Sequence, residues 1–147
     1  EARENMHLAS LLAGLAFSNG ALGAVHALQY AVAAQVPSSH GEGNGLLLPY
    51  VMEHNLAAQP EAFATIAALL GEAVEGLPPL EAASWGVAAV QRLKADIGIP
   101  MRLRDLGVEQ SAIPAMAEIA ASLERLNRLN PRPLTRQDAE AILRAAY

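Results

Sequence analysis

The sequence predicts an all-α domain, and three observations carry that prediction. Hydrophobic residues fill 52% of 147 positions but aromatic residues only 4%, so the apolar bulk is Ala and Leu. Those two residues lead the helix-propensity scale. Apolar residues recur at steps of three and four in several segments, as one face of a helix requires. No segment alternates with period two over a useful length, and no internal repeat is visible. The length fits a single domain that can bury a real core.

Taken in order, Arg3 to Phe17 reads as a helix. Glu4 lies in its first turn, where the dipole favours an acid. Leu8, Leu11, Leu12 and Leu15 form a stripe and Ala9, Ala13, Gly14 and Ala16 keep the other sides small. Ser18-Asn19-Gly20 is a stop signal. Leu22 to Gln35 is a second helix, with His26 and Tyr30 on one face. Val36 to Ser39 is a loop, and His40 to Gly45 is expected to be a glycine turn. Its three alternating glycines remove side chains where something comes close or the backbone takes unusual angles. Leu46 to His54 is helical, with Pro49 bending it or marking its start.

Glu61 to Glu75 forms the next helix, opened by Pro60 and closed by Gly76. Phe63, Ile66, Leu69 or Leu70, and Val74 are its expected buried face. Pro79 to Ile97 has the clearest periodicity: Leu80, Ala83, Val87, Val90, Leu93 and Ile97 step by three and four. Arg92 and Lys94 suit the dipole near its end, and Gly98 closes it. A loop from Met101 to Gln110 leads to a helix over Ala112 to Leu126, capped by Ser111. After a turn bearing Pro131 and Pro133, Thr135 caps the last helix with Asp138 three residues on. The total is about seven helices.

Composition limits function. A formal charge of −5 without a basic stripe argues against nucleic acid as a partner. Without cysteine there is neither a disulfide framework nor a thiolate metal site, which fits a cytoplasmic protein. No Asp, Glu, Lys or Arg lies between His7 and Glu42. The best unbroken apolar run there, Leu11 to Phe17, is far short of the roughly 20 residues of a membrane span. Buried helices, apolar on all sides, are the expectation for this stretch. The chain starts with Glu1 and shows no signal-peptide pattern. It is therefore expected to be processed, truncated or cut from something longer.

The stretch from Ala21 to Asn55 holds three of the four histidines. Imidazole is a common ligand of Zn, Fe, Ni or Cu. Two imidazoles do not close a site, because a catalytic metal generally takes three or more protein ligands. On spacing alone His26 is equally a satisfied core histidine, and His40 an exposed loop residue. Gly41 to Gly45 is not a dinucleotide fingerprint, since no strand precedes it. Glu42 is a candidate acceptor that orients His40. His54 reads as a solvated helix end and Trp85 as partly buried or an interface anchor. Arg102, Arg104 and Asp105 read as a solvated loop.

The ordered motifs carry more. They are Leu8-Ala-Ser-Leu-Leu-Ala-Gly-Leu-Ala-Phe-Ser-Asn19, Leu22-Gly-Ala-Val-His26, His40-Gly-Glu-Gly-Asn44, Leu47-Leu-Pro-Tyr-Val-Met52 with Asn55, and Asn130-Pro-Arg-Pro-Leu-Thr135. Together they closely resemble the iron-containing (group III) alcohol dehydrogenases, over essentially the whole chain. The resemblance implies the C-terminal helical domain of the dehydroquinate synthase-like fold, whose partner is an N-terminal domain that binds NAD or NADP. It implies a divalent ion, Fe(2+) or Zn(2+), held by one Asp and three His. The last two of those histidines fall on His26 and His40. It places Tyr30 on the substrate side, where many members carry another histidine, and sets Gly41 and Gly43 close to the cofactor and metal.

The departures are as informative. The family's Asp and first His ligands lie on an earlier helix of the same domain, and neither that first part of the helical domain nor the nucleotide-binding domain has a counterpart here: the first Asp is Asp96, and His7 lies outside the motif. Four small apolar residues, Ala31 to Ala34, replace a segment that often holds Pro and Gly. The resemblance thus implies part of a dehydrogenase for a primary alcohol or ω-hydroxy acid, inactive as this chain alone. The missing portion would be its partner. The alternative is a free-standing, non-catalytic helical piece that buries its orphaned faces as a homo-oligomer.

Overall fold

A computed structural model describes all residues, 1–147. It contains eight α-helices and no strand: α1 (Ala2–Gly20), α2 (Ala24–Ala33), α3 (His40–Asn55), α4 (Pro60–Leu69), α5 (Pro79–Asp96), α6 (Ile113–Ser122), α7 (Glu124–Asn127) and α8 (Arg136–Ala145). Short 3-10 turns lie at Leu56–Ala58, Leu103–Leu106 and Gln110–Ala112. The all-α expectation holds, and the differences from the sequence reading are local.

One core joins α2, α3, α6 and α8. Leu28, Val32, Leu46, Leu47, Met116, Leu143 and a set of alanines are fully enclosed there. Each large side chain contributes roughly 1.5–3 kcal/mol on leaving water. The alanines, Ala24, Ala27, Ala31, Ala117, Ala120 and Ala139, let the helices approach closely. A smaller cluster of Met52, Phe63, Ala83 and Val87 fastens the α4–α5 hairpin to the end of α3. Gly86 makes that hairpin possible, because a Cβ there would lie 3.0 Å from the Phe63 carbonyl oxygen.

The boundaries that moved have identifiable causes. His40 to Gly45 is not a turn but the first half of α3. Ser39 accepts a bond from the Glu42 backbone N–H at 3.2 Å, and Glu42 accepts one from the Ser39 N–H at 3.3 Å. That reciprocal box supplies the start signal and outweighs the helix cost of the glycines. α4 stops at Leu69, well before Gly76, because Gly71 takes φ +88°. The Gly71 N–H then reaches the Ala68 oxygen, and the Glu72 N–H the Ala67 oxygen, a Schellman ending. Gly98 ends α5 in the same way, with Ile99 N–H on the Lys94 oxygen. The helix expected over Ala112 to Leu126 divides at Leu123 into α6 and α7. The Asn127 amide donates to the Ala120 carbonyl at 2.8 Å and takes over the end of α6. Thr135 and Asp138 cap α8 as expected.

Several burial expectations fail. α1 has no buried residue: Leu8, Leu11, Leu12 and Leu15 are each more than half exposed, so this helix is apolar but not a core helix. It meets α2 at a 106° bend through Ala21, and no single helix is long and apolar enough to cross a membrane. Along α5, Leu80, Leu93 and Ile97 stay exposed and small residues face inward. Leu69, Leu70 and Ile66 of α4 are likewise exposed, and Trp85 is half-exposed. Lys94, read as a helix-end cation, is buried instead. Its Nζ lies over the Tyr50 ring, 5.2 Å from the centroid, and donates to the Leu46 and Met101 carbonyls at 3.4 Å. Burial, with Arg102 nearby, holds its pKa below the ordinary lysine value.

Candidate metal centre

His26 and His40 come from different helices, and the fold brings them together. His26 lies in the first turn of α2 and His40 opens α3. Their ring centroids are 5.1 Å apart and the planes are tilted by 38°. Tyr30, one turn beyond His26, places its ring centroid 5.9 Å from that of His40. Tyr30 is exposed, as a group facing an incoming molecule must be. The sequence-level trio is thus one cluster.

The surroundings of each imidazole decide which nitrogen is free. His40 Nδ1 is 2.9 Å from Gln29 Oε1, and Asn44 Nδ2 is 3.0 Å from His40 Nε2. Asn44 Nδ2 also donates to the His40 carbonyl at 2.9 Å, which fixes which way its amide points. Nε2 therefore accepts and Nδ1 carries the proton. His26 Nδ1 is buried with no hydrogen-bond partner. Burial, then the nearby His40, holds the His26 pKa below its ordinary value, so the ring is neutral at pH 7 and keeps a lone pair. Two neutral imidazoles, one of them tautomer-locked, fit part of the donor set of a soft or borderline divalent ion. No group of three or more His, Cys, Asp or Glu in the chain is placed to hold a metal ion by itself.

The start of α2 is set from a distance. The Asn130 carboxamide oxygen accepts from the Ala24 N–H at 3.1 Å, capping the helix that carries His26. Asn130 and Asn55 also exchange two amide hydrogen bonds, at 2.7 and 3.1 Å, inside the fold. A Cβ on Gly23 would meet Asn130 Oδ1 at 3.0 Å, so the capping contact requires glycine there. Asn55 and Asn130 stood among the quoted motifs without a role, and only the fold supplies one.

Other sequence candidates are relocated. Glu42 does not orient His40; its carboxylate belongs to the Ser39 box, and buried Gln29 occupies the place expected of it. Gln29 was missed because a single glutamine in an apolar helix carries no pattern. Gly43 is buried under Gln29, whose Cγ lies 2.9 Å from where a Cβ would stand. Gly41 has open space around it. His54 is not solvated: its side chain is 6% exposed, with Nδ1 3.9 Å from Asp138 Oδ1. Arg102, Arg104 and Asp105 are exposed, as expected of a solvated loop, although Arg102 also donates to the Ala145 carbonyl and its N–H to the Asp105 carboxylate, each at 3.0 Å.

The fold is a helical domain that sets two imidazoles side by side at the start of α2 and of α3. The chain belongs to the Fe-containing alcohol dehydrogenase family, whose C-terminal part it matches over residues 1–147. It is 49% identical over 148 residues to 1,3-propanediol dehydrogenase of Klebsiella pneumoniae, covering all of this chain and 38% of that protein. It is 39% identical over 146 residues to the NAD-dependent methanol dehydrogenase of Bacillus methanolicus, covering 99% of this chain and 38% of that protein. The crystal structure of a 1,3-propanediol oxidoreductase superimposes with a TM-score of 0.96 at 48% identity, over 99% of this chain and 38% of that one. The chain thus spans about two-fifths of the length of these relatives.

Proposed function

We propose that this chain is the metal-holding helical part of an NAD(P)-dependent alcohol dehydrogenase acting on a primary alcohol or ω-hydroxy acid. The observation that carries the reading is the meeting of His26 and His40 at 5.1 Å, each with a lone pair available. His26 and His40 would hold Fe(2+) or Zn(2+) together with an Asp and a His from the rest of the enzyme. When bound, such an ion supplies Lewis-acid polarisation of an alcohol oxygen, and the nicotinamide supplies the oxidising power. Tyr30, exposed with its ring 5.9 Å from that of His40, can hydrogen-bond an alcohol oxygen and so position it. Gly41, with nothing around it, gives the cofactor room to approach the start of α3; Gly43 serves through its packing against Gln29. By itself the chain lacks half of the ligands and the nucleotide site, and is inactive.

The test is made in the complete enzyme. His26→Ala and His40→Ala should each abolish stoichiometric metal and lower alcohol oxidation by more than about 100-fold, beyond what outer-shell changes typically cost. Unchanged metal content and activity in His40→Ala would overturn the assignment.

A second reading is supported by α1. Met6, Leu8, Leu11, Leu12, Leu15 and Phe17 are all more than half exposed on one helix, and patches of that kind are normally covered. In the dehydrogenase reading the missing part of the enzyme covers them. As a free-standing piece, without catalysis, the chain would cover them with a second copy. Sedimentation separates the two: the chain alone should self-associate, and the complete enzyme should lose that particular contact. A 147-residue chain that stays monomeric at high concentration would sink the second reading.

A further inference from the structure

We propose that Gln29 is the positioning residue that aims His40 at the metal, and that Gly43 is glycine to admit it. This rests on the reading of His40 as a ligand.

Gln29 sits mid-way along α2, whose Ala27, Leu28, Ala31 and Val32 are core residues, and is itself 2% exposed. Burying an amide in such company is costly unless it is hydrogen-bonded. The partner it finds is His40 Nδ1, at 2.9 Å. The contact fixes two things about a ring that is otherwise exposed. It holds the ring plane, and it keeps the proton on Nδ1, so Nε2 is the nitrogen left to coordinate. The Asn44 amide requires the same tautomer independently, because its nitrogen is already committed to the His40 carbonyl. An ion arriving at Nε2 displaces only that Asn44 contact; Asn44 keeps its bond to the carbonyl and Gln29 keeps its bond to Nδ1.

Gly43 completes the device. It lies three residues along α3 from His40, where the helices cross. A Cβ there would stand 2.9 Å from Gln29 Cγ and 3.4 Å from Nε2. The Gln29 side chain has no such space to give, since it is enclosed on its other sides. Any larger residue at position 43 drives the amide off His40.

Zn(2+) affinity of the metal-free complete enzyme, measured by chelator competition, tests this. Gln29→Met keeps the shape and removes the acceptor; it should weaken Zn(2+) binding 10–100-fold, with the metal-free melting temperature little changed. Gln29→Glu restores an acceptor and should bind at least as tightly as the parent. Gly43→Ala should resemble Gln29→Met. If Gln29→Met binds normally while His40→Ala does not, the role assigned to Gln29 is wrong and the ligand role survives. If His40→Ala also binds normally, the ligand reading falls as well. If Gln29→Glu is as weak as Gln29→Met, restoring an acceptor does not restore binding and the proposal fails. Nitrogen-15 NMR of the histidine rings needs no variant: the metal-free protein should show His40 protonated on Nδ1, and a proton on Nε2 would overturn the proposal.

Discussion

α1 and α2 are consecutive, apolar and free of charge from His7 onward, and the structure treats them in opposite ways. α2 is enclosed: Leu28 and Val32 are fully buried, its first N–H groups are capped by Asn130, and its sixth residue holds His40. α1 touches almost nothing, has no side-chain cap and exposes every leucine. Apolarity determines what a helix can bury, not whether this chain contains the surface to bury it against. α2 finds that surface in α3 and α6. α1 finds no such surface within this chain.

The largest expected effect measures this contrast directly. Leu28→Ala should cost the 147-residue chain about 2–5 kcal/mol in urea unfolding, the range for a leucine removed from a packed core. Leu12→Ala in dilute solution should change it by less than about 0.5 kcal/mol, as for surface positions. In the complete enzyme the gap should close, with Leu12→Ala rising into the core range. If Leu12→Ala stays silent there too, α1 is uncovered in the enzyme and the contrast is intrinsic to the helix.

A comparable effect concerns how α2 is anchored. Asn130→Ala leaves the Ala24 N–H and the Asn55 amide unpaired inside the fold. At about 1–3 kcal/mol for each orphaned buried group, unfolding experiments should show a loss of about 2–6 kcal/mol. The counterpart on α1 is Asn19, whose amide bonds the Leu15 carbonyl in full solvent. Asn19→Ala should stay within about 0.5 kcal/mol. A large effect of Asn19→Ala would mean that α1 is held more firmly than its exposure indicates.

Much of the fold was legible, and the failures have physical reasons. Helix type and order followed from Ala/Leu content and spacing, and Thr135 with Asp138 was read correctly because a capping box is a local signal. His40 to Gly45 was misread because glycine frequency suggested a turn. The Ser39–Glu42 box that overrides it is equally local, and a stricter search for caps finds it. Gly71 could have been preferred to Gly76 only by knowing that Phe63 and Ala67 leave the helix no further buried face. The proximity of His26 and His40 was implied by ordered motifs, not by spacing. Gln29, Lys94 and the Asn55–Asn130 pair were invisible, since each works across a long sequence separation that one sequence does not reveal.

The smallest effects lie in pH dependence, and they return to the contrast between α2 and the rest. The folded state keeps the His26 pKa below 6.5, by burial first and His40 second. The unfolded chain therefore binds the proton more readily, and stability falls as pH drops from 6.5 through the folded value. Asp138 in α8 titrates lower. Burial raises its pKa, but hydrogen bonds from the Thr135 hydroxyl and N–H, with His54 and Arg132, more than offset this and leave it below 3.8. Its contribution is complete above 3.8 and is lost as pH falls through the folded value. Urea midpoints against pH should thus show two separate declines. His26→Gln should remove the upper one alone. Asp138→Asn should remove the lower one and cost about 1 kcal/mol at neutral pH through the weakened cap. Leu12→Ala should leave both declines in place; if it shifts either, α1 is coupled to the histidine pair or to α8 by contacts that its exposed surface does not show.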